Sequence, residues 1–90
     1  YTMCGQMKTF IDRICARYTE IRNKDFYFIL TAADDNKTAL ERTAEEFRGL
    51  LICLNDVNEK GIIYGSGVWN AGEIKKSRAM NQALEMGKMV

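Results

Sequence analysis

Residues Phe26-Tyr27-Phe28-Ile29-Leu30 form an unbroken run of aromatic and aliphatic side chains between polar segments. A strand with one wet face alternates apolar and polar residues. A continuous run is what a parallel strand covered on both faces requires. A buried helix segment is the competing reading, but so short and aromatic a run favours a strand. Parallel strands cannot be joined by a hairpin, so the rest of the chain has to supply crossover helices.

Such helices are legible on both sides of the run. Met7, Phe10, Ile11, Ile14 and Tyr18 step by three and four, which predicts a helix from about Gly5 to Tyr18. Thr19–Asp25 is polar and reads as a turn around Asn23-Lys24-Asp25. After the run, Thr31–Lys37 reads as a loop in which Asp34, Asp35 and Asn36 are good capping types, so Asp35 or Asn36 starts the next helix. Leu40, Ala44, Phe47, Leu51 and Leu54 then recur at helical spacing and predict a buried stripe on a helix from about Lys37 to Leu54. Asn55–Lys60 is a polar connection, Gly61–Tyr64 a short second strand, and Gly65–Gly72 a glycine-containing loop. Ala71, Ile74, Ser77, Met80 or Asn81, Leu84 and Gly87 trace a final helix. The order helix, strand, helix, strand, helix predicts an α/β fold with a parallel sheet. Two strands alone do not make a stable open sheet, and the sequence opens at Tyr1, so the chain reads as the interior of a longer one.

Composition removes several function classes. The chain has no His, which excludes a Ser-His-Asp triad, a Cys-His pair and any imidazole-bound metal. Thirteen basic against twelve acidic side chains leave a net charge of +1, without the basic stripe of a nucleic-acid binder. The longest apolar run, Phe26–Ala33, is too short to span a bilayer, and no secretory signal opens the chain. Cys4, Cys15 and Cys53 form no CxxC motif. On one helix Cys4 and Cys15 would lie about 16 Å apart, beyond disulfide reach. Reduced thiols and a cytoplasmic compartment are expected, with Cys15 and Cys53 acting as small buried apolar residues.

Other constellations read as ordinary structure. Gly65, Gly67 and Gly72 do not have the dinucleotide-binding spacing and read as a turn. Asp34-Asp35-Asn36 offers too few oxygens for a hard cation and reads as capping. Lys75, Lys76 and Arg78 read as a solvated helix face. Trp69 in its glycine loop is open to two readings, ordinary packing or an interface anchor.

The segment before the first helix places small, polar and aromatic groups where ligands of open α/β sheets bind, with helix-start N–H groups behind them. Tyr1-Thr2-Met3-Cys4-Gly5-Gln6-Met7-Lys8-Thr9-Phe10-Ile11-Asp12-Arg13 resembles the Y-x-x-S-G-Q-[ML]-K-x-[FL]-[IL]-D-R stretch of flavodoxin-fold NAD(P)H-dependent FMN reductases. The resemblance is nearest to the iron–sulfur flavoprotein and quinone-reductase-like branch. It continues through Phe26–Leu30, Thr38–Leu54, Gly65-Ser66-Gly67 and Ala71-Gly72-Glu73-Ile74 to Glu85-Met86-Gly87-Lys88. It implies the C-terminal part of a single flavodoxin-like, three-layer domain. It also implies FMN-contacting roles for Tyr1, Thr2, Met3, Cys4 and Gly5, and for Ala32 and Ala33 in the loop after the first strand. Cys4 stands where the family commonly has Ser, and Thr31-Ala32-Ala33 is not glycine-rich as family versions often are. Neither the family's phosphate-binding loop nor an iron–sulfur cysteine motif occurs among these residues.

The function implied is an FMN-binding oxidoreductase that takes electrons from NAD(P)H and passes them to a quinone, flavin or other small acceptor. The alternatives are a non-catalytic flavodoxin-type electron carrier and a cofactor-free interaction fragment. The expected partners are the small-molecule donor and acceptor, together with a second copy or the missing N-terminal half of the domain; no nucleic acid or membrane is expected.

Overall fold

The computed structural model describes residues 2–90 and shows an α/β fold in the predicted order. The elements are α1 (Gly5–Ile14), β1 (Arg22–Thr31), α2 (Lys37–Ile52), β2 (Asn55–Gly65) and α3 (Arg78–Lys88). The strands pair in parallel as a two-stranded sheet. This arrangement is consistent with part of a flavodoxin-like fold. Among the described residues no helix is long and apolar enough to cross a membrane.

The apolar run is buried on one face and only partly covered on the other, where Ile29 is 67% exposed. Phe28 and Leu30 are buried on one face against Leu40, Ala44 and Phe47 of α2, with Ile11 of α1 closing the cluster. The Phe28 and Phe47 rings stack with centroids 4.6 Å apart and planes 17° apart. On the other face of the sheet α3 covers β2. A Cβ on Gly61 would collide with the Met86 terminal methyl, and one on Gly65 would fall 2.9 Å from Ile74 Cδ1. Glycine at these two positions is what lets α3 and the turn before it lie close on β2. Helix α2 carries the predicted stripe: Leu40, Ala44 and Phe47 are buried, Leu51 is half-buried, and Leu54 is buried just beyond the helix end. Asn36 is its N-cap, accepting from the Thr38 N–H at 3.0 Å.

Several expectations are corrected. Thr19–Asp25 and Asn55–Lys60 are not simple connections. Arg22–Asp25 pairs with Asn55–Asn58 as an exposed polar extension of the sheet, with Asn23 and Asp56 at φ 56° and 55°. Their polar composition hides the pairing, because nothing there is buried enough to leave an apolar pattern. Arg48 secures this half to α2 by a bidentate ion pair with Glu59, at 2.8 and 2.9 Å. Helix α1 stops at Ile14 and continues as a 3₁₀ segment, Cys15–Glu20, interrupted at Arg17. Of its predicted face only Ile11 is buried, while Phe10 is 59% exposed. The final helix is also broken. Glu73–Lys76 is a 3₁₀ turn, Ser77 is extended, and α3 restarts with the Ser77 side chain accepting from the Met80 N–H. That break shifts the helical phase, so Ala79 is buried and Leu84 is exposed. Cys15 and Cys53 are exposed rather than buried, and all three thiols are free.

Candidate functional site

The carboxyl end of β1 and the residues leading into α1 meet at one cleft of about 630 Å³. Thr2, Met3, Cys4 and Met7 form one wall, and Leu30, Thr31, Ala32, Ala33 and Asp34 form the other. Leu40, Thr43 and Phe47 of α2 close its base, and Arg42 adds a cation to the rim. The volume lies within the range of small-molecule sites. Of the residues expected to contact flavin, Thr2, Met3, Cys4, Ala32 and Ala33 are thus brought together across nearly thirty positions of sequence. Gly5 does not line the cleft and begins α1 behind it, with open space where a Cβ would stand. Tyr1 lies outside the described residues.

Each wall is held by identifiable bonds. The Met3 N–H donates to Glu46 Oε2 at 3.0 Å, tying the leading segment to α2. The Cys4 carbonyl accepts from the Lys8 N–H at 3.1 Å, but the Cys4 thiol makes no capping bond. The first turn of α1 also contains no acidic side chain. Its leading N–H groups, which have no carbonyl partner within the helix, therefore remain available to polar atoms of a ligand.

The second wall is braced by the glycine loop. Ala32 donates its N–H to the Gly65 carbonyl at 3.0 Å and accepts from the Val68 N–H at 3.1 Å. The Gly67 N–H donates to the Asp34 carbonyl at 2.8 Å, from the left-handed conformation at φ 71° that favours glycine. The loop reads as a turn, as expected, and the N–H groups of Gly67 and Val68 are committed to supporting the neighbouring loop. Asp34 Oδ1 accepts from the Asn36 N–H at 2.8 Å, completing the capping reading of Asp34-Asp35-Asn36. Among the described residues no group of three His, Cys, Asp or Glu side chains is placed to hold a metal.

The displaced pKa values belong to structural contacts of side chains that do not line the cleft. Hydrogen bonding to Glu59 and Glu45 raises Arg48, and Arg48 in turn holds Glu59 below the usual carboxylate range. Burial, followed by its hydrogen bond to Glu41, pushes the Tyr64 hydroxyl up. Glu73 is held low by the Asn70 side chain and by the backbone N–H groups of Trp69 and Asn70. The cleft therefore offers thioether and aromatic surface with a polar rim, which suits holding a planar apolar body.

Met7 and Thr43 belong to the cleft although the helix pattern did not assign them to it. Thr43 carries a signal: it sits between Leu40 and Phe47 on the buried face of α2, where a hydroxyl is out of place in a purely apolar stripe. Met7 carries none, since a cleft-lining methionine and a core methionine look alike in sequence.

Comparison with protein-family models, curated proteins and solved structures finds no match to the chain.

Proposed function

We propose that the chain forms part of an FMN-binding, NAD(P)H-dependent oxidoreductase and supplies the ring end of the flavin site. One observation carries the reading. Two segments distant in sequence, Thr2–Cys4 and Ala32–Ala33, line a single cleft at the carboxyl end of a parallel strand. Open α/β sheets bind their ligands at that end.

The side chains present fit one end of FMN. Met3, Met7 and Phe47 provide polarizable and aromatic surface for an isoalloxazine ring. The leading N–H groups of α1 suit its carbonyl edge. The phosphate end is a poorer fit, because the glycine loop spends the N–H groups of Gly67 and Val68 on Asp34 and Ala32. Bound FMN supplies the redox chemistry, between NAD(P)H and a small acceptor such as a quinone. This chain's own part is to position the ring and exclude water from it; no side chain is assigned as acid or base.

The test is visible absorbance and FMN titration of the purified protein, followed by NAD(P)H oxidation. Ala33→Leu places bulk in the cleft at an exposed position, so it should weaken FMN binding at least tenfold with unchanged thermal stability. Unchanged FMN affinity in that variant would sink the assignment.

A further inference from the structure

Among the described residues, Thr43 is the one polar side chain in the buried set, at 7% exposed. It sits between Leu40 and Phe47 on the buried face of α2. A helical threonine can satisfy its hydroxyl on the carbonyl four residues back, as Thr9 does on Gly5 at 2.9 Å. The Thr43 hydroxyl makes no such bond and has no other partner among the described residues. Yet no sealed side-chain oxygen or nitrogen among those residues lacks a partner. The hydroxyl is therefore the part of Thr43 that reaches open space, and the space Thr43 lines is the cleft.

Two further features converge on that cleft. Among the described residues, Arg42 is the one charged side chain of α2 without a polar partner. Lys37 pairs with Glu41, Arg48 pairs with Glu45 and Glu59, and Glu46 Oε2 accepts from the Met3 N–H. Arg42 lines the cleft. Helix α1 begins at the same place, where Cys4 and Met7 line the cleft, no side chain caps the helix and its first turn holds no acid. Unpaired N–H groups and the positive end of the helix dipole favour an anion there. Asp34, in the facing wall, is the cleft's one carboxylate among the described residues. It limits the charge a ligand can carry: one negative charge meets Arg42, and a second would meet Asp34 unopposed.

We infer that Thr43, Arg42 and the start of α1 form an oxyanion subsite in the cleft, and that its ligand is an aromatic carboxylate. The carboxylate accepts from the Thr43 hydroxyl and from the Arg42 guanidinium, whose planar fork matches two carboxylate oxygens. The ring lies on the thioether and aromatic surface of Met3, Met7 and Phe47. A phosphate dianion fits less well because of Asp34. That this ligand is the small electron acceptor rests on the functional reading above, whereas the subsite itself rests on the cleft alone.

The test is a benzoate titration of the purified chain, followed by the methionine methyl signals in NMR. Benzoate should bind with a Kd of about 1 mM or tighter and move the Met3 and Met7 signals. Thr43→Val keeps the shape of the side chain and removes a donor that has no partner in the protein. It should therefore weaken benzoate about tenfold or more, the worth of one hydrogen bond to a charged group, without lowering the melting temperature. Thr43→Ser should retain binding, and Arg42→Gln should weaken it by a similar factor. Unchanged benzoate affinity in Thr43→Val would overturn the inference, as would the absence of binding at about 10 mM benzoate. A lowered melting temperature in Thr43→Val would also overturn it, by showing that the hydroxyl bonds within the protein. Inorganic phosphate that moves the same signals as strongly as benzoate would overturn the aromatic carboxylate in favour of a free anion. FMN titrated into the same samples separates the two readings. Bound FMN without benzoate binding sinks this inference alone, and benzoate bound as described without FMN binding supports it and sinks the flavin reading alone.

Discussion

Phe47→Ala tests the packing on which the cleft stands. Phe47 is 7% exposed, stacks on Phe28, and also reaches the base of the cleft. Truncating a buried Phe costs about 3–5 kcal/mol, the spread reflecting how far the surrounding atoms can refill the space. Here the void opens into the cleft instead of being sealed, so water can enter it and the loss should fall near 3 kcal/mol. A ninety-residue domain holds only about 5–13 kcal/mol in total. With a urea slope of about 1–1.5 kcal/mol/M, the midpoint should fall by about 2–3 M, and in a marginal background the variant would be largely unfolded. Phe47→Leu retains most of the volume and should lose less than half as much. A loss below about 1 kcal/mol for Phe47→Ala would show that α2 does not press this face onto the sheet.

Other outcomes follow from individual contacts. Asn36→Ala removes the side-chain acceptor for the Thr38 N–H and should cost about 0.5–2 kcal/mol in the same titration, with Asn36→Asp retaining most of the stability. Glu73 is held low in the folded loop, so its contribution is present above its unfolded pKa and lost as pH falls through the folded one. Trp69 emission should therefore change on acidification below the ordinary carboxylate range, and Glu73→Gln should abolish that step. All three cysteines are exposed, so a thiol reagent should titrate three equivalents under native conditions; one equivalent would mean that Cys15 and Cys53 are buried.

The apolar part of the fold was legible because burial writes a periodic pattern. The run Phe26–Leu30 located the apolar half of β1, and the stripe from Leu40 to Leu54 gave α2 with both its bounds to within two residues. The polar halves of both strands left no such pattern, since Arg22–Asp25 and Asn55–Asn58 pair through backbone with exposed side chains. The final helix misled for a different reason. Ser77 is compatible with helix spacing, yet it adopts an extended conformation and caps a new start. For the cleft, the position ahead of a helix pointed to Thr2–Cys4, because ligands of open α/β sheets bind where helices begin, whereas Ala32 and Ala33 entered only through the family resemblance. Arg42 and Met7 were not legible, since their relation to the cleft depends on the rotation of α2 and α1 about their axes.

Lys60 is the surplus residue at the register shift of β2: Phe26 pairs with Glu59, and Tyr27 pairs with Gly61. Side chains on a strand alternate sides, so one surplus residue reverses the parity of everything beyond it. That reversal is what delivers Gly61, Ile63 and Gly65 to α3 and sends Ile62 and Tyr64 toward α2. Removing Lys60 while the polar half kept its pairing would place Gly61 directly after Glu59, where regular alternation already turns it toward α3, so the same residues would meet the same helices on an unbulged strand. Removing a second residue would exchange the two sets and turn Tyr64 into the space where Gly61 and Gly65 admit Met86 and Ile74. The bulge is thus one residue of slack in the length of β2: the strand should tolerate the loss of one residue at this point but not of two.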